Sequence, residues 1–510
     1  MTTDPSRAAP TIPLRNLLDP LPREAFGPAQ ARHLLRRAGF GGTEIQINTL
    51  VSWGLDEAVD HLVDFESVPN EPDEHDLFNK DIMRPLSLED QRVIRTARQR
   101  GDEDTVARFR DQRQAAQRSD RQQMAQIRRW WIQRMIQTPR PLEEKLTLFW
   151  HGHFATSYRS VEDSYHMYMQ NRMFRGNAKS YPRLLAGIIR DPAMLRYLNN
   201  NQNRRQSPNE NLARELMELF SLGEGNYTER DIKEGARALT GYTYEDDAFV
   251  FRENMHDSGP KQVLGVRDRV DGDGFVSAIL RHQACAPFIA TRLYRFFVAD
   301  VAAQPRDVTG TDLACVKMLA DRITRERYDL APVLKTLFKS RHFYSDEVAH
   351  SKIKSPAELV VGAVRTLGVP ARDLNTMADA MERMGQNLFF PPSVKGWDGG
   401  RSWINTATMF ARQNTLAYLI TGAQPGSPAR RAIAGDYDPR SVVPMLVEPG
   451  RPADTREIVG RLMDLAMGRR DEHAMETLAR TVETSDNPTA QPALAALMLL
   501  ITAMPEYQLC

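Results

Sequence analysis

Apolar positions recur at three- and four-residue intervals along most of the chain, a pattern that predicts amphipathic helices. Ala29 to Ala38 reads as a short helix stopped by Gly39, Gly41 and Gly42. Leu88 to Gln137 reads as a long polar helical region, and the period strengthens from Trp130 onward. There Trp130, Trp131, Met135, Ile136, Leu142, Leu146, Phe149 and Trp150 supply a core. Each large side chain contributes roughly 1.5 to 3 kcal/mol when fully buried. Further helices are predicted at 160–176, 182–197, 209–222, 228–240, 274–300, 310–326, 330–339, 354–368, 373–386 and 402–421, then at 453–468, 472–484 and 490–503. Only 242–264 looks β-like, with Tyr242, Tyr244, Phe249, Val250 and Phe251 beside turn residues. The expected fold class is therefore mainly α, a multi-helix globular bundle with one small β-hairpin insertion. Three parts are expected: an extended or disordered arm at 1–27, a main helical domain at 28–423 and a C-terminal helical subdomain at 441–510 packed on it. A Pro/Gly/Arg-rich connection at 424–440 precedes the last of these.

Charge narrows the partners. Lys and Arg number 67 against 66 Asp and Glu, so no global field directs the 510-residue chain to nucleic acid or an anionic membrane. Locally, the arginines between Arg92 and Arg129 make one helical stretch basic; it reads first as a solvated helix and second as a grip for an acidic partner. Cys285, Cys315 and Cys510 are too few and too scattered for a disulfide framework or a cysteine zinc site. The N-terminus has charges and prolines where a signal peptide needs an apolar run, and no window approaches a membrane span. A soluble, cytoplasmic protein is expected, with export left open.

Candidate chemistry concentrates in four blocks. In 209–222, Leu212, Ala213, Leu216, Leu219 and Phe220 fall on one side of a helical wheel, opposite Glu210, Asn211, Arg214, Glu215 and Glu218. Carboxylates one or two turns apart suit metal-carboxylate sites or acid/base pairs, and equally a surface ion-pair ladder. His151-Gly152-His153 can converge on a metal if the backbone bends at the glycine, or can bond to carbonyls near the aromatic core. His256-Asp257 can ligate metal or act as an oriented base, with Lys261 holding an anion; the same residues also make a polar turn. The loop Phe389–Gly400 and the following Trp403 and Asn405 offer a stacking and hydrogen-bonding surface, or a packed cover for the bundle. No P-loop, dinucleotide fingerprint or nucleophile elbow is present.

Five ordered blocks, HLLRRAGFGGT at 33–43, PLEEKLTLFWHGHFATS at 141–157, the 209–242 segment, HDSGPKQVLG at 256–265 and PPSVKGWDGGRSWIN at 391–405, resemble the large bacterial domain-of-unknown-function family numbered 1800. The resemblance covers nearly the whole chain and implies one architecture without assigning a reaction. It also implies a sulfatase-like family as a possible partner protein, and export for many members, a pattern from which this chain departs in lacking an evident signal.

Two functional readings follow. The first is a metal-dependent hydrolase using an unidentified divalent ion. His151, His153, His256 and Asp257 are its candidate ligands, Glu215, Glu218 and Arg214 its catalytic groups, and Asn209, Asn211, Lys261, Trp397 and Asn405 its contacts to a glycan or anionic small substrate. It expects Asn211, Glu215 and Glu218 to line one cleft with His151 and His153. The second is a non-catalytic helical scaffold that binds a partner protein or glycan through the loop Pro392–Asn405 and the basic 92–129 region.

Overall fold

Helix boundaries follow from capping chemistry. In the computed structural model, which describes residues 12–70, 77–423, 438–442, 454–483 and 490–510, there are 21 α-helices. Residues 1–11 of the expected arm at 1–27, 71–76 of the acid-rich loop near 68–76, 424–437 of the connection at 424–440, and 443–453 and 484–489 of the C-terminal part lie outside the described residues. Pro141 occupies the first turn of the Pro141–His153 helix, where its missing N–H leaves nothing unsatisfied. Ser355 and Glu358 form a capping box on Pro356–Leu367, and Asn405 with Thr408 does the same on Thr406–Thr421.

The predicted long helices divide where a local turn intervenes. Gly101, at φ 69°, separates Leu88–Arg100 from Glu103–Gln137. The 274–300 stretch breaks after Gly272–Arg281 and resumes at Cys285–Phe297. One helix, Glu44–Val63, lies where periodicity predicts none; a Thr43–Gln46 capping box opens it and Gly54, at φ 78°, kinks it. The β content is two antiparallel hairpins instead of one: Tyr242–Glu245 with Ala248–Phe251, and Lys261–Val263 with Val266–Asp268. The fold is mainly α with these small β insertions.

The Pro141–His153 helix runs through the centre, and all its residues except Gly152 are buried. Leu142, Leu146, Phe149 and Trp150 face one apolar core, while Leu148 joins Trp131 and Met135 in a second. Its charged residues are inside too. Glu144 accepts from Arg134 Nε at 2.5 Å, Arg175 Nε at 2.6 Å and Trp131 Nε1 at 2.8 Å. Lys145 reaches Glu358 at 2.5 Å and the Gly39 carbonyl at 2.8 Å. Buried charges survive only when paired and hydrogen-bonded, as these are.

Thr455–Met467 and Gln491–Ala503 share the second core with Pro356–Leu367 and Thr406–Thr421. Arg36 donates to the Met467 and Leu465 carbonyls at 2.6 and 2.9 Å, tying the N-terminal region to this group. Within the N-terminal segment, Leu17 and Phe26 are buried in the core beside two short 3-10 turns, so residues 12–27 lie packed on the bundle. No helix among the described residues is long and apolar enough to cross a membrane.

Candidate ligand cleft

His151 and His153 belong to the last turn of a helix, not to a glycine bend. Residues two apart on a helix point about 200° from one another, so the two imidazoles face different neighbours. His151 Nε2 accepts the Phe389 backbone N–H at 3.0 Å, and its ring lies between Trp131, Phe389 and Trp397. Burial pushes its pKa down to about 3, so it is neutral at physiological pH. His153 Nε2 donates to the Phe220 carbonyl at 2.8 Å, which leaves Nδ1 as the acceptor, with Arg292 Nε 3.5 Å away. Burial, and then the Arg292 charge, hold it well below the usual histidine range.

The polar face of the 209–222 block lies elsewhere. Arg214 bridges Glu210 and Glu229 at 3.1 Å each, which is the surface-ladder arrangement. Glu218 accepts a hydrogen bond from the Tyr227 hydroxyl. Burial, then the neighbouring Glu218 charge, raise the pKa of half-buried Glu215. Asn209 accepts the Asn211 N–H at 3.0 Å, and both close the helix start. The expectation that Asn211, Glu215 and Glu218 share a cleft with His151 and His153 is not met: none of the three lines the cleft that His153 lines, and Glu218 turns to Tyr227 instead.

His256 and Asp257 are engaged in a third place. His256 Nδ1 meets the Thr240 carbonyl at 2.8 Å. Asp257 takes a two-pronged pair from Arg237, at 2.7 and 3.2 Å, and the Arg237 hydrogen bond holds its carboxyl below the usual range. Lys261 is buried and donates to the Asp257 and Gly259 carbonyls, so it closes this turn and is not presented to an anion. Among the described residues, no three His, Cys, Asp or Glu side chains are grouped so as to hold a metal ion. Asn405 is an exposed helix cap.

A cleft of about 120 Å³ does form, and it joins two of the predicted blocks. Gly152 and His153 form one wall and the Trp397–Gly400 loop with Trp403 another, while Arg292, Arg295 and Phe296 of Cys285–Phe297 complete it. Gly396 makes this possible. Its φ is 81°, and a Cβ there would lie 2.2 Å from the Gly152 carbonyl oxygen, so only glycine lets the loop backbone rest on the central helix. Trp397 is thereby held half-exposed over Gly152.

The electrostatics of the cleft are uneven. Lys352 pairs with Asp300 at 3.3 Å, Lys395 with Asp398 at 3.0 Å, and Arg295 donates to the Asp398 carbonyl at 2.5 Å. Glu358 is committed as well; burial raises its pKa, but Lys145 and Lys352 outweigh that and bring it to about 2. Ser355 Oγ caps its own helix, and Gln386 accepts from the Ala357 N–H at 2.9 Å. Neither Arg292 nor Arg295 has a carboxylate within ion-pair distance among the described residues, and Arg295 is engaged by the Asp398 carbonyl. The Arg292 side chain lies against the Phe288 ring and His153. Burial, then the Arg295 charge, lower its pKa to about 10, which still leaves it cationic at neutral pH. Sequence reading singled out none of Arg292, Arg295 and Lys352; the available signal was TRLYRFF, two arginines three apart in an otherwise apolar helix.

A mainly helical protein with a small polar and aromatic cleft is thus the class the fold defines. The profile of the family described as "Protein of unknown function (DUF1800)" matches residues 33–509, and the chain belongs to that family. No curated protein and no solved structure matches it.

Proposed function

We propose that the chain is a non-catalytic recognition protein whose cleft binds an acidic carbohydrate. One observation carries the reading: the Arg292 guanidinium lines the cleft without a carboxylate partner, beside the half-exposed Trp397. A planar guanidinium matches a carboxylate or sulfate in a forked geometry. An indole face stacks on the C–H face of a sugar ring, and the Asp300 and Asp398 carboxylates can accept from hydroxyls. The loop proposed from sequence as a glycan surface supplies the tryptophan.

The metal-dependent hydrolase has less support. His151 and His153 point apart with their Nε2 atoms engaged, and Asp257 is held by Arg237. In the cleft, Glu358 is salt-bridged and Ser355 caps a helix, so neither is poised as base or nucleophile.

Calorimetric titration of the full chain with D-glucuronate and D-glucose tests the proposal. Saturable binding of glucuronate, absent for glucose and lost in Trp397→Ala with the fold retained, is the expected result. Equal affinity for both sugars, or glucuronate binding indifferent to Trp397, would overturn it.

A further inference from the structure

Leu88–Arg100 and the first half of Glu103–Gln137 pair as a helical hairpin that stands apart from the body. Ala97 and Phe109 are the buried apolar residues between Leu88 and Ser119, and neither belongs to the two main cores. Asp120 marks the attachment, where it accepts the Tyr158 hydroxyl at 2.7 Å and the Ser164 N–H at 2.9 Å. Among the described residues, no hydrogen bond or ion pair ties residues 92–119 to anything outside the hairpin.

Charge on the hairpin is sorted along its helices. The acids collect where the helices begin, Glu89 and Asp90 at one start and Asp102, Glu103 and Asp104 at the other, as the helix dipole favours. Beyond those turns, the arginines from Arg92 to Arg100 meet no acid on their own helix. Those from Arg108 to Arg121 are interrupted by Asp111 and the buried Asp120 alone. Of all these arginines, Arg110 is the one with a carboxylate partner among the described residues, Asp111 at 3.9 Å, and that pair is exposed. At about 100° per residue, Arg110, Gln114, Gln117 and Arg121 fall within about 60° of one another, a stripe about 16 Å long. On the other helix, Arg92 and Arg95 point about 140–160° away from the buried Ala97, so they face outward.

Such stripes offer guanidinium groups in a row, each shaped to take a carboxylate in a forked geometry. A row of them matches a polymer that repeats the carboxylate, because each further contact is made within one complex. Leu88 and Val93 are the large apolar residues exposed on the hairpin, too few for the seam of a partner helix. The whole chain is close to neutral and lacks a field that draws nucleic acid, and Phe109, the one aromatic of residues 88–119, is buried and cannot stack on a base. Continuity with the cleft points to carbohydrate instead. Two turns beyond Arg121, Arg128 lies over the Phe390 ring at 5.7 Å, and Phe390 belongs to the loop that carries Trp397. We propose that the helical hairpin is a docking surface for a linear acidic polysaccharide, one with a carboxylate on successive units. The choice of a sugar polymer rests on the acidic-carbohydrate reading of the cleft and extends it from one unit to a chain.

Calorimetric titration of the full chain with D-glucuronate, a linear glucuronate decamer, the matching glucose decamer and a DNA duplex of the same charge tests it. The glucuronate decamer should bind at least tenfold more tightly than the monosaccharide, and the glucose decamer should not bind. Replacing four exposed side chains together, Arg92→Gln, Arg95→Gln, Arg110→Gln and Arg121→Gln, should weaken the glucuronate decamer at least fivefold and leave the monosaccharide unchanged. Decamer affinity unmoved by the fourfold variant overturns the docking surface, and a DNA duplex bound as tightly as the decamer overturns its assignment to a sugar polymer. If the decamer binds through these arginines and the monosaccharide does not bind, the cleft reading falls; if the monosaccharide binds and the arginines add nothing, only the docking surface falls; if neither binds, both fall.

Discussion

Replacing Gly396 with alanine should damage both stability and ligand binding, because the cleft depends on how closely the loop approaches the central helix. Two separable costs arise. The left-handed backbone at φ 81° disfavours any Cβ by roughly 1–2 kcal/mol. The new methyl would also lie 2.2 Å from the Gly152 carbonyl oxygen, where ordinary contact begins near 3.4 Å, so the loop must retreat by about 1 Å. Overpacking of this kind costs roughly 1–3 kcal/mol. Gly265 isolates the first cost: its φ is also 81°, but nothing lies within 4 Å of where a methyl would sit. In urea unfolding, Gly396→Ala should lose about 2–5 kcal/mol and Gly265→Ala about 1–2 kcal/mol. Because Trp397 is the next residue, Gly396→Ala should also weaken glucuronate binding, and Gly265→Ala should not. Equal destabilisation by the two variants with binding intact would refute the close-approach argument.

Other expectations concern the buried charges and the ladder. Glu144→Gln strips the shared partner from Arg134 and Arg175 and should cost about 3–5 kcal/mol in the same urea assay. Arg214→Ala breaks only exposed pairs, and should change stability by less than about 1 kcal/mol and leave glucuronate affinity untouched. Acid should destabilise the fold from near pH 6.5 downward. His151 is held at about 3, and burial also depresses His33 and His153, so the unfolded chain binds protons that the folded chain refuses. Each such histidine removes roughly 1 kcal/mol per pH unit across that window, measurable as urea midpoints between pH 7 and 5. His151→Phe should flatten the slope.

Helices with a clear apolar stripe are readable from the chain; 330–339 coincides with Leu330–Lys339. Glu44–Val63 escapes because Gly54 interrupts its period, although Thr43 and Gln46 carry a capping signal. One hairpin is expected where two form, because Lys261–Val263 and Val266–Asp268 are three residues each, too short to show alternation. For the cleft, Trp397 is visible as an aromatic in an irregular loop, whereas Arg292 is not, since two arginines three apart on an otherwise apolar helix also fit an ordinary solvated edge. The His-Gly-His block draws attention for its chemistry, but its helical conformation sends the imidazoles apart. The burial of Glu143, Glu144 and Lys145 is not visible from the chain, because their partners Arg134, Arg175 and Glu358 come from other segments that periodicity does not connect.

If Arg292 reads a negative charge on a sugar, a double-mutant cycle that changes both molecules exposes it most directly. Wild type and Arg292→Gln would each be titrated with D-glucuronate and with its uncharged methyl ester. A charge-assisted pair is worth about 1.5–3 kcal/mol, so Arg292→Gln should lose roughly tenfold or more in affinity for glucuronate. It should lose little for the ester. An equal loss for both ligands, or no loss for glucuronate, would contradict recognition of the charge by Arg292.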